Sequence, residues 1–160
     1  MSEVSNRQDA VKSPSRTVAG DRFSALVVAI FRLNARLVEI GDAMAAPSGQ
    51  TTTRWQILAA ADDAPRSVAD IARALGLARQ SVQRVADLLV TDGDATYEDN
   101  PRHRRARLLV PTAAGGAALR AIQERQARWA DELGALAGEE QLAELVAGLD
   151  RVRELLGDPA

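Results

Sequence analysis

The chain has 160 residues, no cysteine, one histidine and a formal net charge of −2, with 46% hydrophobic but only 3% aromatic residues. That length holds one domain of ordinary size or a compact unit extended by long helices, and a core of Leu, Val, Ile and Ala favours helix. A disulfide scaffold, a thiol switch and a cysteine-ligated zinc finger are excluded, one histidine argues against a catalytic triad or a histidine-rich metal site, and no apolar run approaches membrane-span length or a signal-peptide core, so the expectation is a cytoplasmic, non-enzymatic protein without a cofactor.

Residues 1–20 are polar and aperiodic and read as a flexible tail. Asp21 is placed to cap a helix running to about Met44, with Leu26, Ile30, Leu33, Leu37 and Ile40 at helical spacing and Phe23, Val27 and Phe31 widening the stripe. Ala46-Pro47-Ser48-Gly49 ends it. Thr51 to Ala61 predicts a short helix with Trp55, Ile57 and Leu58 toward the core, followed by a loop from Asp62 to Arg66. Ser67, with Asp70 three residues on, forms a capping-box pattern for a helix whose apolar face is Val68, Ile71 and Leu75. Gly76 stops that helix, where a left-handed backbone makes the tight turn. A second helix follows from about Ala78 to Thr91. Val82, Val85, Leu88 and Leu89 are expected on its buried side.

Asp92-Gly93-Asp94 breaks this helix, and the β-compatible stretches Ala95–Glu98 and Ala106–Val110 predict a hairpin with a long tip. Pro111 and Thr112 open a helix to about Ala137, with Leu119, Ile122, Trp129, Leu133 and Leu136 on its apolar side. After Gly138 a last helix, Glu139 to Leu156, carries Leu142, Leu145, Val146, Leu149, Val152 and Leu156.

Two elements carry chemistry. The second short helix sets Arg79, Gln80, Ser81, Gln83 and Arg84 on its polar side, with no acid before Asp87. Arginine pairs bidentately with guanine and glutamine with adenine, so these residue types suit the reading of base edges and phosphates. The hairpin tip packs Arg102, His103, Arg104, Arg105 and Arg107 together with no acid from Pro101 to Arg107. Four arginines so close repel one another until an anionic partner relieves them, and a guanidinium is drawn into a narrow minor groove. Helix, turn, helix and basic hairpin together form a device for holding DNA.

The stretch from Gly93 to Gly115 resembles the wing of the MarR family of bacterial transcriptional regulators. Asn100-Pro101-Arg102-His103-Arg104-Arg105 and Pro111-Thr112-Ala113-Ala114-Gly115 stand at the spacing of that family's wing, and the resemblance extends over about Phe23 to Leu156. It implies a mainly α fold with a small β-hairpin wing: a winged helix-turn-helix with long N- and C-terminal dimerisation helices. The expected division is a tail over 1–20, a dimerisation helix over 21–48, the DNA-binding domain over 49–111 and dimerisation helices over 112–160. Arg104 would enter the minor groove and Arg105 would brace the wing or touch phosphate. Three positions depart from the family pattern. His103 replaces an Asp that orients the arginine, which predicts a looser tip. Asp94 replaces an apolar residue, which predicts a less well packed wing base. Pro111 replaces a leucine, which the first turn of a helix or the end of an edge strand accommodates.

The terminal helices present more apolar surface than a small central domain covers. Phe23, Leu26, Ile30, Leu37, Leu145, Leu149 and Val152 are therefore candidate homodimer contacts. The resemblance further implies a pocket for a small aromatic or phenolic anion, with Arg36, Trp55 and Trp129 as candidate lining residues. The function expected is a dimeric, sequence-specific regulator, a repressor of an inverted-repeat operator in double-stranded DNA, released by a small ligand. The alternative is a winged-helix module that binds a protein partner, suggested by the acidic C-terminal helix.

Overall fold

A computed structural model describes residues 16–101, 103 and 105–157. The chain divides into two compact units, Met1–Val38 and Glu39–Ala160. Helix α1 spans Val18–Ala45 and so begins three residues before Asp21. The cap is Thr17, whose Oγ1 accepts from the Gly20 amide at 3.1 Å, and the expected tail therefore overlaps the helix at its last residues. A single 3-10 turn, Ala46–Ser48, closes on Gly49.

Helix α2 (Thr52–Asp63) starts at Thr51, whose side chain accepts from the Arg54 amide. Asp42 adds a second cap, accepting from the Thr52 amide at 2.7 Å. The helix ends at Ala64, which is extended (φ −159, ψ 145) because Pro65 follows and excludes helical backbone at the preceding residue. Strand β1 (Arg66–Ser67) comes next, where a loop was expected. Two residues are too few to show an alternating pattern, and the strand exists because β3 pairs with it.

Ser67 is also the N-cap of α3 (Val68–Leu75). Its hydroxyl donates to Asp70 Oδ2 at 2.6 Å while its oxygen accepts from the Asp70 amide at 3.3 Å. That hydroxyl, with the Arg73 guanidinium behind it, holds the Asp70 carboxyl below its ordinary value. Gly76 (φ 64) turns the chain into α4 (Arg79–Thr91). On α4 the buried side is Val82, Val85, Ala86 and Leu89, whereas Leu88 is 43% exposed. Ala86 takes the place expected of Leu88, because 82, 85, 86 and 89 form the narrower stripe at helical pitch.

Strands β2 (Ala95–Glu98) and β3 (Leu108–Pro111) form the hairpin, and the three-stranded antiparallel sheet runs β1-β3-β2. Tyr97 stands opposite Leu109, and Leu109 opposite Arg66. β3 starts two residues later than expected, which leaves Ala106 and Arg107 in the tip. Helices α5 (Ala113–Ala137) and α6 (Glu139–Leu156) complete the fold.

The core joins Ile57, Leu58 and Ala61 of α2, Val68, Ile71 and Ala72 of α3, the α4 stripe, Ala95 and Leu109. Leu119 and Ile122 of α5 are also buried. Burial is thus concentrated where three short helices meet the sheet, and it fixes α4 relative to the hairpin. The far end of α5 is open, with Leu133 45% and Leu136 83% exposed, and α6 has no buried residue. Among the described residues no helix is long and apolar enough to cross a membrane.

Candidate nucleic-acid interface

Helix α4 has Ala78 as its N-cap, with no side chain to bind the first-turn amides, and no acid in that turn. Those N–H groups stay available as donors at the positive end of the helix dipole. Arg79, Gln80, Ser81 and Arg84 are exposed, and Gln83 is half-buried. Among the described residues neither Arg79 nor Arg84 has an ion-pair partner. This surface differs from an ordinary solvated helix face, where arginines alternate with glutamates at i,i+4.

A cleft of about 230 Å³ separates α4 from the hairpin. Arg79 and Gln83 of α4, Tyr97, Arg105 and Arg107 of the hairpin, and Ser67 are among the residues that line it. Two of the residues expected to contact DNA are engaged inside the protein here. Gln83 Nε2 donates to Asp87 Oδ1 at 2.8 Å and to the Tyr97 hydroxyl at 2.9 Å, and that hydroxyl donates to the same Asp87 oxygen at 2.8 Å. The Arg107 guanidinium lies 5.2 Å from the centre of the Tyr97 ring and donates to the Tyr97 carbonyl. Tyr97 thus joins α4 to β2 and to the hairpin tip. Burial, reinforced by the Asp87 carboxylate, pushes its phenol up to about 12.

The tip is closed by Asn100, whose Nδ2 donates to the Ala106 carbonyl at 2.9 Å. Two turns complete it: the His103 amide bonds to Asn100 O and the Ala106 amide to His103 O. A side-chain amide at 100 thus spans the loop in which the family pattern places a carboxylate at 103. His103 and Arg105 are exposed. Arg102 and Arg104 lie outside the described residues.

The base of the wing departs from its expectation. Asp94 is held there by hydrogen bonds and an ion pair. Its Oδ2 accepts from Arg54 Nη2 at 3.0 Å and from Gln50 Nε2 at 2.7 Å. Arg54 Nη1 reaches Asp92 Oδ2 at 2.7 Å, and Arg54 Nε donates to Gln50 Oε1 at 2.8 Å. The side chains of Arg54 and Asp94 are only 15% and 16% exposed, so this pair is screened less than a surface bridge. The Asp94 carbonyl accepts from the Thr112 amide at 3.0 Å, and the Thr112 hydroxyl donates to the Gly93 carbonyl at 2.7 Å. Gly115 completes the joint: a Cβ there would lie 1.9 Å from the Asp94 carbonyl oxygen, so only glycine fits. Sequence reasoning did not find Gln50, Arg54 or Asp92, and the one available signal was the i,i+4 spacing of Gln50 and Arg54.

The candidate dimer contacts divide by burial. Phe23, Leu37, Leu145 and Leu149 are 41%, 44%, 60% and 47% exposed, while Leu26, Ile30 and Val152 are half-covered. Of the candidate ligand-lining residues, Arg36 belongs to the N-terminal unit, and Trp55 and Trp129 to the other, each half-covered. None of the three lines the cleft beside α4. Among the described residues no cluster of three or more histidine or carboxylate side chains is placed to hold a metal ion.

The chain is similar to proteins of known sequence and structure. Residues 48–106, which span α2 through the wing tip, match the model of the MarR family. An uncharacterized protein of Mycobacterium tuberculosis is 44% identical over 105 residues, covering 66% of this chain and 73% of its own. The transcriptional repressor CouR, solved bound to a 23-mer DNA duplex, superposes with a TM-score of 0.70 at 28% identity, covering 86% of this chain and 99% of that one. A mutant of Escherichia coli MarR, solved with operator DNA, superposes with a TM-score of 0.72 over 82% of this chain and 96% of that one; at 20% identity it supports the fold alone. With the winged helix-turn-helix, the wing spacing and these matches in agreement, the chain belongs to the MarR family of transcriptional regulators.

Proposed function

We propose that two copies of this chain form a homodimer that reads an inverted-repeat operator in double-stranded DNA and represses transcription until a small aromatic or phenolic anion releases it. In this reading 49–111 is the DNA-binding domain, while 21–48 and 112–160 supply the dimer contacts. The observation that carries it is the outer face of α4, where Arg79 and Arg84 stand exposed beside Gln80 and Ser81 on a helix start with no acid and no side-chain cap. Such a face suits the major groove, with the open amides and arginines on phosphate and base edges. Arg105 and His103 extend the basic surface toward the wing. The resemblance assigns Arg104 to the minor groove. Two-fold pairing through the exposed leucines of the terminal helices would set the two α4 helices one DNA turn apart, roughly 34–36 Å.

Selection of duplexes from a random pool, followed by affinity measurement over a salt series, tests this. An enriched inverted repeat is expected, with affinity falling linearly in log salt as counterions return to the phosphates. Arg104→Ala is expected to weaken operator binding while leaving thermal stability and the dimer unchanged. A dimer that enriches no sequence and shows no salt dependence would instead support a protein-binding module.

A further inference from the structure

The cleft between α4 and the wing constrains one reading residue more closely than the rest. A free glutamine pairs with adenine through two bonds, its NH2 donating to N7 and its carbonyl accepting from the N6 amino group. The NH2 of Gln83 is already committed. One of its partners is the Asp87 carboxylate, which only accepts, so the nitrogen and not the oxygen of the amide must face it. The other is the Tyr97 hydroxyl, whose own hydrogen goes to that same carboxylate oxygen and whose lone pair is thereby turned to Gln83. The three groups form a closed ring of mutually reinforcing bonds, with the phenol oriented by its strand and by the Arg107 guanidinium over its ring. Among the described residues no donor reaches Gln83 Oε1. The side chain is half-buried and lines the cleft one turn in from the exposed Arg79.

We infer that Gln83 is a specificity residue that presents its carbonyl oxygen alone to the operator, and so selects a base carrying an exocyclic amino group in the major groove, adenine or cytosine, over a base carrying a keto oxygen. The inference rests on the DNA-reading function proposed above. Both amino bases offer the one donor that Oε1 requires, N6 in adenine and N4 in cytosine, whereas thymine O4 and guanine O6 would set a lone pair against it. Asp87 and Tyr97 act through Gln83 as positioning residues and touch no base.

The test measures full-length protein on the selected operator, with all four bases placed in turn at each half-site position. One position should accept adenine and cytosine within about threefold of each other and reject guanine and thymine by about tenfold or more. Gln83→Ala should erase that preference and no other. The double variant Asp87→Ala, Tyr97→Phe keeps the aromatic ring for Arg107 but frees the amide, and at this position it should favour adenine over cytosine by about tenfold as the second bond to N7 becomes available. A melting curve and the dimer mass control for folding in each variant. The inference is overturned if the native protein already separates adenine from cytosine tenfold at the Gln83-dependent position, or if Gln83→Ala leaves every base preference intact. Failure to enrich any operator would overturn the DNA-reading function itself, whereas those two results overturn this inference and leave that function standing.

Discussion

The winged-helix region and α6 use the same kind of leucine for opposite purposes. In the first, Leu58, Leu89 and Leu109 are fully buried, and among the described residues every buried side-chain nitrogen or oxygen has a hydrogen-bond partner. In α6, Leu145, Leu149, Leu155 and Leu156 are 60%, 47%, 82% and 69% exposed, and nothing on the helix is buried. Composition alone does not separate the two regions. What separates them is whether the apolar face meets its complement within one chain. A stretch that folds against itself carries its stability locally. In the homodimer proposed above, α6 would gain much of its stability from association, and that part would depend on concentration.

Replacing both Leu145 and Leu149 by aspartate breaks this contrast from the α6 side. Both residues are exposed, so the winged helix should keep its fold, while sedimentation should report a monomer. Operator affinity should drop by about a hundredfold or more as the second half-site contact is lost. An unchanged dimer would place the contact surface elsewhere. Leu109→Ala breaks the contrast from the other side. Leu109 is fully buried on the central strand, so its truncation should cost about 2–5 kcal/mol at any protein concentration, read from denaturant unfolding. Leu149→Ala should instead change the concentration dependence of the melting temperature. A smaller effect sharpens the picture inside the winged helix. Tyr97 is the only tyrosine in the chain, so ultraviolet difference absorbance titrates it alone. Its midpoint is expected at about 12, against 10.0 for a free phenol, and Asp87→Ala should bring it down. Because folding raises this pKa, the stability it contributes is complete below pH 10 and is lost as pH rises from about 10 through about 12. A midpoint near 10 would mean that the ring of bonds around Gln83 does not persist in solution.

Much of this architecture was legible in the residues. Ser67 and Asp70 announced α3, Ala95–Glu98 coincides with β2, and Glu139 to Leu156 coincides with α6. Local rules suffice where the cause is local, as with a cap, an alternating pair of strands or a helical stripe. They gave no hint of β1, whose two residues are a strand only because Leu108 and Leu109 lie across from them. Nor did they foresee the joint at the wing base, since Arg54 meets Asp92 and Asp94 from 38 and 40 residues away. Asp94 is the instructive case. Against the family pattern it reads as a lost apolar contact, and in the fold it is a charged anchor. Gln83 and Arg107 show the converse limit: residue type pointed to DNA, and three-dimensional neighbours reassign part of each side chain to holding the wing.

The joint around Asp94 also has a mechanical consequence. Its carbonyl takes the Thr112 amide and touches the Gly115 backbone, while its carboxylate is tied through Arg54 to Asp92 at the end of α4. The first turn of α5, the last turn of α4 and the root of the hairpin are thereby keyed to one another like a shaft and its hub. Torque applied along α5 is delivered to α4 and wing together, with little slack between them. In the homodimer proposed above, each winged helix would then turn as a rigid piece, and the coordinate left for a signal to adjust would be the distance and angle between the two copies.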